Sequence, residues 1–69
     1  MKVLVQDGRS QRFLAGKGKW LSDHEKATNF EGVLRAVEAI WEFGLMQARI
    51  LLRKPDGEIS VLMEVGAPA

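Results

Sequence analysis

Apolar and polar positions along this chain follow two periods, one helical and one extended. From Phe30 to Leu45 (FEGVLRAVEAIWEFGL) the charged residues Glu31, Arg35, Glu38 and Glu42 recur every three or four positions. Phe30, Val33, Leu34, Ala36, Val37, Ala39, Ile40, Trp41 and Phe43 take the rest of the cylinder. Residues three and four apart share a helix face, so the spacing predicts one helix with a narrow polar stripe. Gly44 stands where a helix commonly ends in positive φ, with Leu45 folding back on the last turn. The start is set either by a capping box over Thr28-Asn29-Phe30-Glu31 or by Gly32 as N-cap.

The flanking stretches read as strands. Residues 2–6 (KVLVQ) and 12–15 (RFLA) surround Asp7-Gly8-Arg9-Ser10. A two-residue Asp-Gly turn would set Val3 opposite Arg12. A four-residue loop pairs Val3 with Leu14 and Leu4 with Phe13, like with like on both faces, and is the register expected. Gly16-Lys17-Gly18-Lys19 then permits a tight bend that lets Trp20 drop back over the hairpin. Ser22-Asp23-His24-Glu25 fits a capping box opening one helical turn over residues 23–27.

After the helix, residues 47–54 (QARILLRK) and 58–65 (EISVLMEV) flank Pro55-Asp56-Gly57, a type I turn with a G1 bulge. That turn sets Lys54 opposite Glu58, Leu52 opposite Ser60, Leu51 opposite Val61, Ile50 opposite Leu62 and Arg49 opposite Met63. The expected fold is α+β, ββαββ: a four-stranded, mainly antiparallel sheet with one long helix packed across one face. It forms a single domain over residues 1–69, with a frayed tail over 65–69.

The second hairpin does not alternate cleanly. One face carries Ala48, Ile50, Leu52 and Leu62; the other carries Leu51, Ile59, Val61 and Met63 beside Arg49 and Arg53. A sheet covered on one side should read apolar-in, polar-out. The helix also has more apolar circumference than one sheet can cover. Surplus apolar surface of this kind marks an interface. The expectation is a non-enzymatic protein-interaction module that forms a homodimer, or else binds another protein. Its contact residues would be Leu51, Ile59, Val61 and Met63, with Trp41 as aromatic anchor.

Size sharpens that reading. Sixty-nine residues lie near the lower limit for a self-sufficient core. The chain has no cysteine and one histidine, which excludes disulfides and thiolate or multi-histidine metal sites within it. Dense packing and self-association remain as sources of stability. No stretch reaches the roughly 18 apolar residues of a membrane span, and residues 1–5 are too short for a signal peptide. A soluble cytoplasmic protein with no membrane contact is expected.

The net charge is only +1, but it is unevenly spread. Residues 1–20 are basic, residues 21–45 acidic and the remainder balanced. Such a dipolar domain suits a weak polyanion or a second copy of itself. The alternative function is therefore weak single-stranded nucleic-acid binding, through Arg9, Arg12, Lys17 and Lys19 with Trp20 as stacking platform.

Catalytic chemistry finds little to stand on. Gly16-Lys17-Gly18-Lys19 lacks the spacing and the hydroxyl of a phosphate loop. His24 lies between Asp23 and Glu25, but neighbours on one turn do not converge on an ion. Glu38 and Glu42 sit on the polar stripe, not in a cleft that would separate their pKa values. No serine, threonine or lysine has an identifiable activating base. No catalytic residue and no cofactor is assigned.

One resemblance rests on packing residues. Phe13-Leu14, Trp20, Ala27, Phe30, Ala36 and Gly44-Leu45 form an aromatic-Leu, Trp, Ala-x-x-Phe, helix-Gly-Leu pattern. It resembles that of small bacterial and phage proteins without an assigned function. The likeness covers about half the chain and implies a small α+β domain of bacterial type. It carries no catalytic residue across, and Gly32 departs from it where Ser or Asp would be the cap.

Overall fold

The computed structural model describes residues 1–16 and 18–66. Its elements are β1 (Lys2–Asp7), β2 (Phe13–Ala15), β3 (Lys19–Leu21), a 3-10 turn (His24–Lys26), α1 (Val33–Glu42), β4 (Ala48–Arg53) and β5 (Ile59–Val65). The strands form one antiparallel sheet in the order β3-β2-β1-β4-β5. The α+β class and the single helix across one face agree with the sequence. The strand count does not, because residues 19–21 form a fifth strand.

That fifth strand changes the role of Trp20. It does not fold back over the first hairpin but lies opposite Leu14, with Phe13 opposite Leu21 and Ala15 opposite Lys19. The first hairpin also differs in register. Gln6 faces Phe13, and Asp7 donates its amide to the Arg12 carbonyl at 2.9 Å, so the four-residue loop is 8–11. The slip from the expected pairing is two residues, which keeps every side chain on its expected face.

The core is built on both faces of the two central strands. Val3, Val5, Leu14, Ala48 and Ile50 point to one side and meet Ala36, Ala39 and Ile40 of α1. Trp20, Phe30, Val37, Leu45, Leu52 and Val65 close around that cluster. Side chains alternate along a strand, so Leu4, Phe13 and Leu51 point the other way. There they are covered by Ala27, at the end of the 3-10 turn. Leu4, Leu14, Ile40, Ile50 and Val5 are fully buried, each contributing about 1.5–3 kcal/mol of transfer energy.

The chain must therefore pass from one face of the sheet to the other between the 3-10 turn and α1. Residues 28–30 make that crossing along the edge where the β1–β2 ladder ends. Thr28 donates its amide to Leu14 O at 3.2 Å, and Phe30 donates to Val3 O at 2.9 Å. Asn29 Oδ1 accepts from both Val3 N and Glu31 N at 3.0 Å. The crossing thus satisfies backbone groups that the short ladder leaves open.

Local ends follow sequence chemistry where the residues are strong. At the C-terminus of α1, Leu45 donates to Ile40 O at 3.0 Å and Gly44 to Trp41 O at 3.2 Å, with Gly44 at φ 64°. This is the Schellman pattern the Gly-Leu pair predicts. At the N-terminus Gly32 is the N-cap and no side chain caps the helix, so α1 starts at Val33 and the alternative box at Thr28 is not formed. The 3-10 turn is capped by Asp23, whose carboxylate accepts from Glu25 N at 2.9 Å. Ser22 does not take that role. Glu25 is used elsewhere: Arg53 donates to its carboxylate at 2.9 Å and Lys2 Nζ to its carbonyl at 3.0 Å.

The second hairpin keeps its predicted turn. Lys54 donates its amide to the Glu58 carbonyl at 2.8 Å, and Gly57, at φ 93°, donates to the Lys54 carbonyl at 2.9 Å. Leu52 faces Ser60 and Leu51 faces Val61. Beyond that point a β-bulge intervenes: Ile50 faces Met63, Arg49 faces Glu64 and Ala48 faces Val65, with Leu62 the extra residue. The physical reason lies at the end of the strand. Without the bulge Glu64 would oppose Ala48 on the helix side. With it, Glu64 meets Arg49 at 3.1 Å on the other face and Val65 packs on the core. Val65 is thus part of β5, not of a frayed tail; residues 67–69 lie outside the described residues.

Candidate functional site

The surface predicted as an interface is divided by the fold. Leu51 is only 3% exposed, buried with Leu4, Phe13 and Ala27, and so is a core residue. Met63 is moved by the bulge to the α1 side of the sheet, opposite Ile50. Ile59 and Val61 stay on the face of the 3-10 turn, opposite Arg53 and Leu51, and Val61 is 58% exposed. The four hairpin residues therefore do not form one patch.

Ile59, Val61 and Met63 do share an element. β5 is an edge strand, and Ile59, Val61, Leu62 and Met63 are all exposed along it. α1 packs mainly over β1 and β4, which leaves β5 uncovered on its side. On the opposite face the 3-10 turn reaches Leu4, Phe13 and Leu51 but does not bury Val61. The other sheet edge, β3, has only three residues.

A second apolar surface lies on α1. Leu34 is 73% exposed and Trp41 56% exposed. They stand seven residues apart, two helical turns, on the same flank with half-buried Val37 between them. Phe43 lies on the opposite flank, toward β3, where a Cβ at Gly18 would stand 3.6 Å from its ring. The 100° step per residue turns Trp41 and Leu34 away from that side, toward β5. Trp41 is thus an exposed residue, as an anchor must be. Leu34 was readable as its partner from the seven-residue spacing but was not singled out from the sequence.

The basic residues are not gathered. Arg9 lies in the β1–β2 loop and Arg12 just before β2, both exposed. Lys19 begins β3, at the far end of β2, opposite Ala15. Lys17 lies outside the described residues. Trp20 is half-buried against the core on the α1 side, which leaves it little face for stacking.

The Arg9 loop is held by Asp7, whose carboxylate accepts from the Arg9 amide at 3.3 Å, the Ser10 amide at 3.3 Å and the Ser10 hydroxyl at 2.8 Å. Partial burial works to raise the Asp7 pKa, but these bonds and the Arg9 charge together outweigh it and hold the carboxyl below its ordinary value. A depressed carboxyl stabilises the fold above the unfolded-state pKa and loses that contribution as pH falls through the folded value. The wild-type chain should therefore lose more thermal stability than Asp7→Asn as pH is taken below about 4. Parallel melting curves for both chains would show the idea wrong.

Among the described residues, no three His, Asp or Glu side chains gather as metal ligands would. His24 packs edge-on against Phe13, ring centroids 5.9 Å apart. A depression of about 430 Å³ between Gly8, Met46, Gln47 and the Arg49–Glu64 pair is open to solvent. No described helix is long and apolar enough to cross a membrane.

Fold and surface together define a small two-layer α+β domain with one helix on a five-stranded antiparallel sheet and an apolar edge strand. Compared with protein-family models, curated proteins and solved structures, the chain matches none.

Proposed function

We propose that this chain is a non-enzymatic interaction module that acts as a homodimer. One observation carries the reading: the edge strand β5 exposes Ile59, Val61, Leu62 and Met63 while the central strands are covered on both faces. Natural sheets protect long edges with charge, proline, a bulge or a cover; the bulge in β5 hinders ladder pairing but leaves these apolar side chains exposed. β5 has one charge, Glu64, and that is already paired with Arg49.

A second copy fits for a further reason. A core of this size supplies only about 3–5 kcal/mol, so association would add stability that no disulfide or metal provides. A standard interface takes about 800 Å² from each partner, roughly a sixth of the 4600 Å² surface.

Light scattering over about a tenfold dilution tests this directly, since an obligate dimer's stability is tied to its concentration. Twice the chain mass at every concentration is expected. A monomer throughout would sink the proposal. Single-stranded nucleic-acid binding is the lesser reading, because Trp20 is engaged in packing and Arg9, Arg12 and Lys19 are dispersed.

A further inference from the structure

We infer that two copies associate through α1, helix against antiparallel helix about a two-fold axis, with Leu34 of each copy packed on Trp41 of the other. This rests on the dimer reading above and names the face that forms it.

The bulge in β5 argues against the edge itself as the contact. Ile59 and Val61 face one side of the sheet, and Met63 and Val65 face the other. A regular ladder between two β5 strands would have to accommodate an extra residue in each, and bulges are a common means of keeping edges apart. The helix flank has no such obstacle. Leu34 and Trp41 are the two most exposed large apolar side chains on α1. They lie two turns apart, the spacing of one seam position in consecutive heptads, with Val37 between them.

Charge then selects orientation and partner. Arg35, Glu38 and Glu42 line the polar stripe beside this flank, and none of the three makes an ion pair within the described structure. A two-fold axis beside residues 37 and 38 sets Leu34 against Trp41 of the partner. The same operation brings Arg35 toward Glu38 and Glu42 of the second copy, and reciprocally. The two Glu38 side chains meet beside this axis, flanked by Arg35 of each copy; a parallel arrangement would in addition set Arg35 against Arg35 and Glu42 against Glu42. An isologous contact requires a self-complementary patch, and within α1 Arg35 on one side of the axis and Glu42 on the other meet that need. Met63 lies on the same side of the sheet as α1 and would widen the apolar contact.

The absence of cysteine in the chain gives the geometry a clean test. Residue 38 lies beside the proposed axis, so Glu38→Cys should form a symmetric disulfide-linked dimer on mild oxidation. Val61→Cys, on the opposite face of the sheet, should not. Trp41→Glu should weaken association by about thirtyfold or more, as loss of a hot spot does. All three substituted side chains are exposed, and circular dichroism would verify the fold. Arg35→Glu should weaken the dimer, and adding Glu42→Arg in the same chain should restore it, which simple loss of apolar area cannot do.

If the wild-type chain is dimeric but Trp41→Glu leaves its mass unchanged while Ile59→Lys with Val61→Lys makes it monomeric, the helix contact is wrong and self-association stands. If the wild-type chain is monomeric at all concentrations, both readings fail together.

Discussion

Replacing Ile40 with alanine should leave most of the chain unfolded at room temperature. α1 presents its buried face through Ala36, Ala39 and Ile40, and Ile40 is the one large side chain among the three. It is fully buried in the cluster formed by Val3, Val5, Leu14, Ala48 and Ile50. Removing it deletes transfer energy and leaves a cavity that a helix fixed at its C-terminus by the Gly44-Leu45 cap cannot close. Such substitutions cost about 2–5 kcal/mol, comparable with the whole stability expected of a core this small. Urea and thermal unfolding at matched protein concentration would measure it. A melting point lowered by less than about 5 °C, worth roughly 1 kcal/mol in a domain of this length, would show that α1 is not held to the sheet by this residue.

Ile40 also illustrates what the sequence alone could carry. Its helix, the Gly44 cap and the Pro55-Asp56-Gly57 turn depend on residues within a few positions of one another, so local chemistry specifies them. β3 was missed for the converse reason. Lys19-Trp20-Leu21 is too short to show a period, and its strand state comes from pairing with Phe13 to Ala15. The first hairpin slipped by two because its turn residues allow several closures, and the choice depends on where residues 28–30 re-enter beside β1. Asn29, which bonds Val3 and Glu31 at once, stood in the sequence only as an inner position of a capping box led by Thr28. Its actual role needs the whole topology to be visible.

The candidate site shows the same division. The surplus of apolar residues in the second hairpin and helix was readable, and Trp41, Ile59, Val61 and Met63 are indeed exposed. Strict alternation from the turn put Met63 beside Val61. No residue in Ser60-Val61-Leu62-Met63 announces a bulge, which becomes favourable only once Glu64 can reach Arg49 and Val65 can reach the core. Nor could alternation reveal that the 3-10 turn covers Leu51.

The pair Leu51 and Val61 makes that distinction measurable, because they face each other across the ladder. Alternation alone gives them the same environment, and the fold gives them opposite ones. Leu51→Lys would force an ammonium into the cluster of Leu4, Phe13 and Ala27. A buried, unpaired charge costs several kcal/mol even after relaxation, enough to exceed the stability of the domain. Val61→Lys, on the open edge strand, should change monomer stability by no more than about 0.5 kcal/mol, and the long stem can lie along the sheet with its charge in water. Circular dichroism and heteronuclear NMR spectra of the two variants should therefore diverge completely, one unfolded and one native-like. A native spectrum for Leu51→Lys would mean that the 3-10 turn does not close that face. An unfolded Val61→Lys would mean that β5 is covered, in which case the face of Ile59 and Val61, and not the α1 flank, is where a second copy binds.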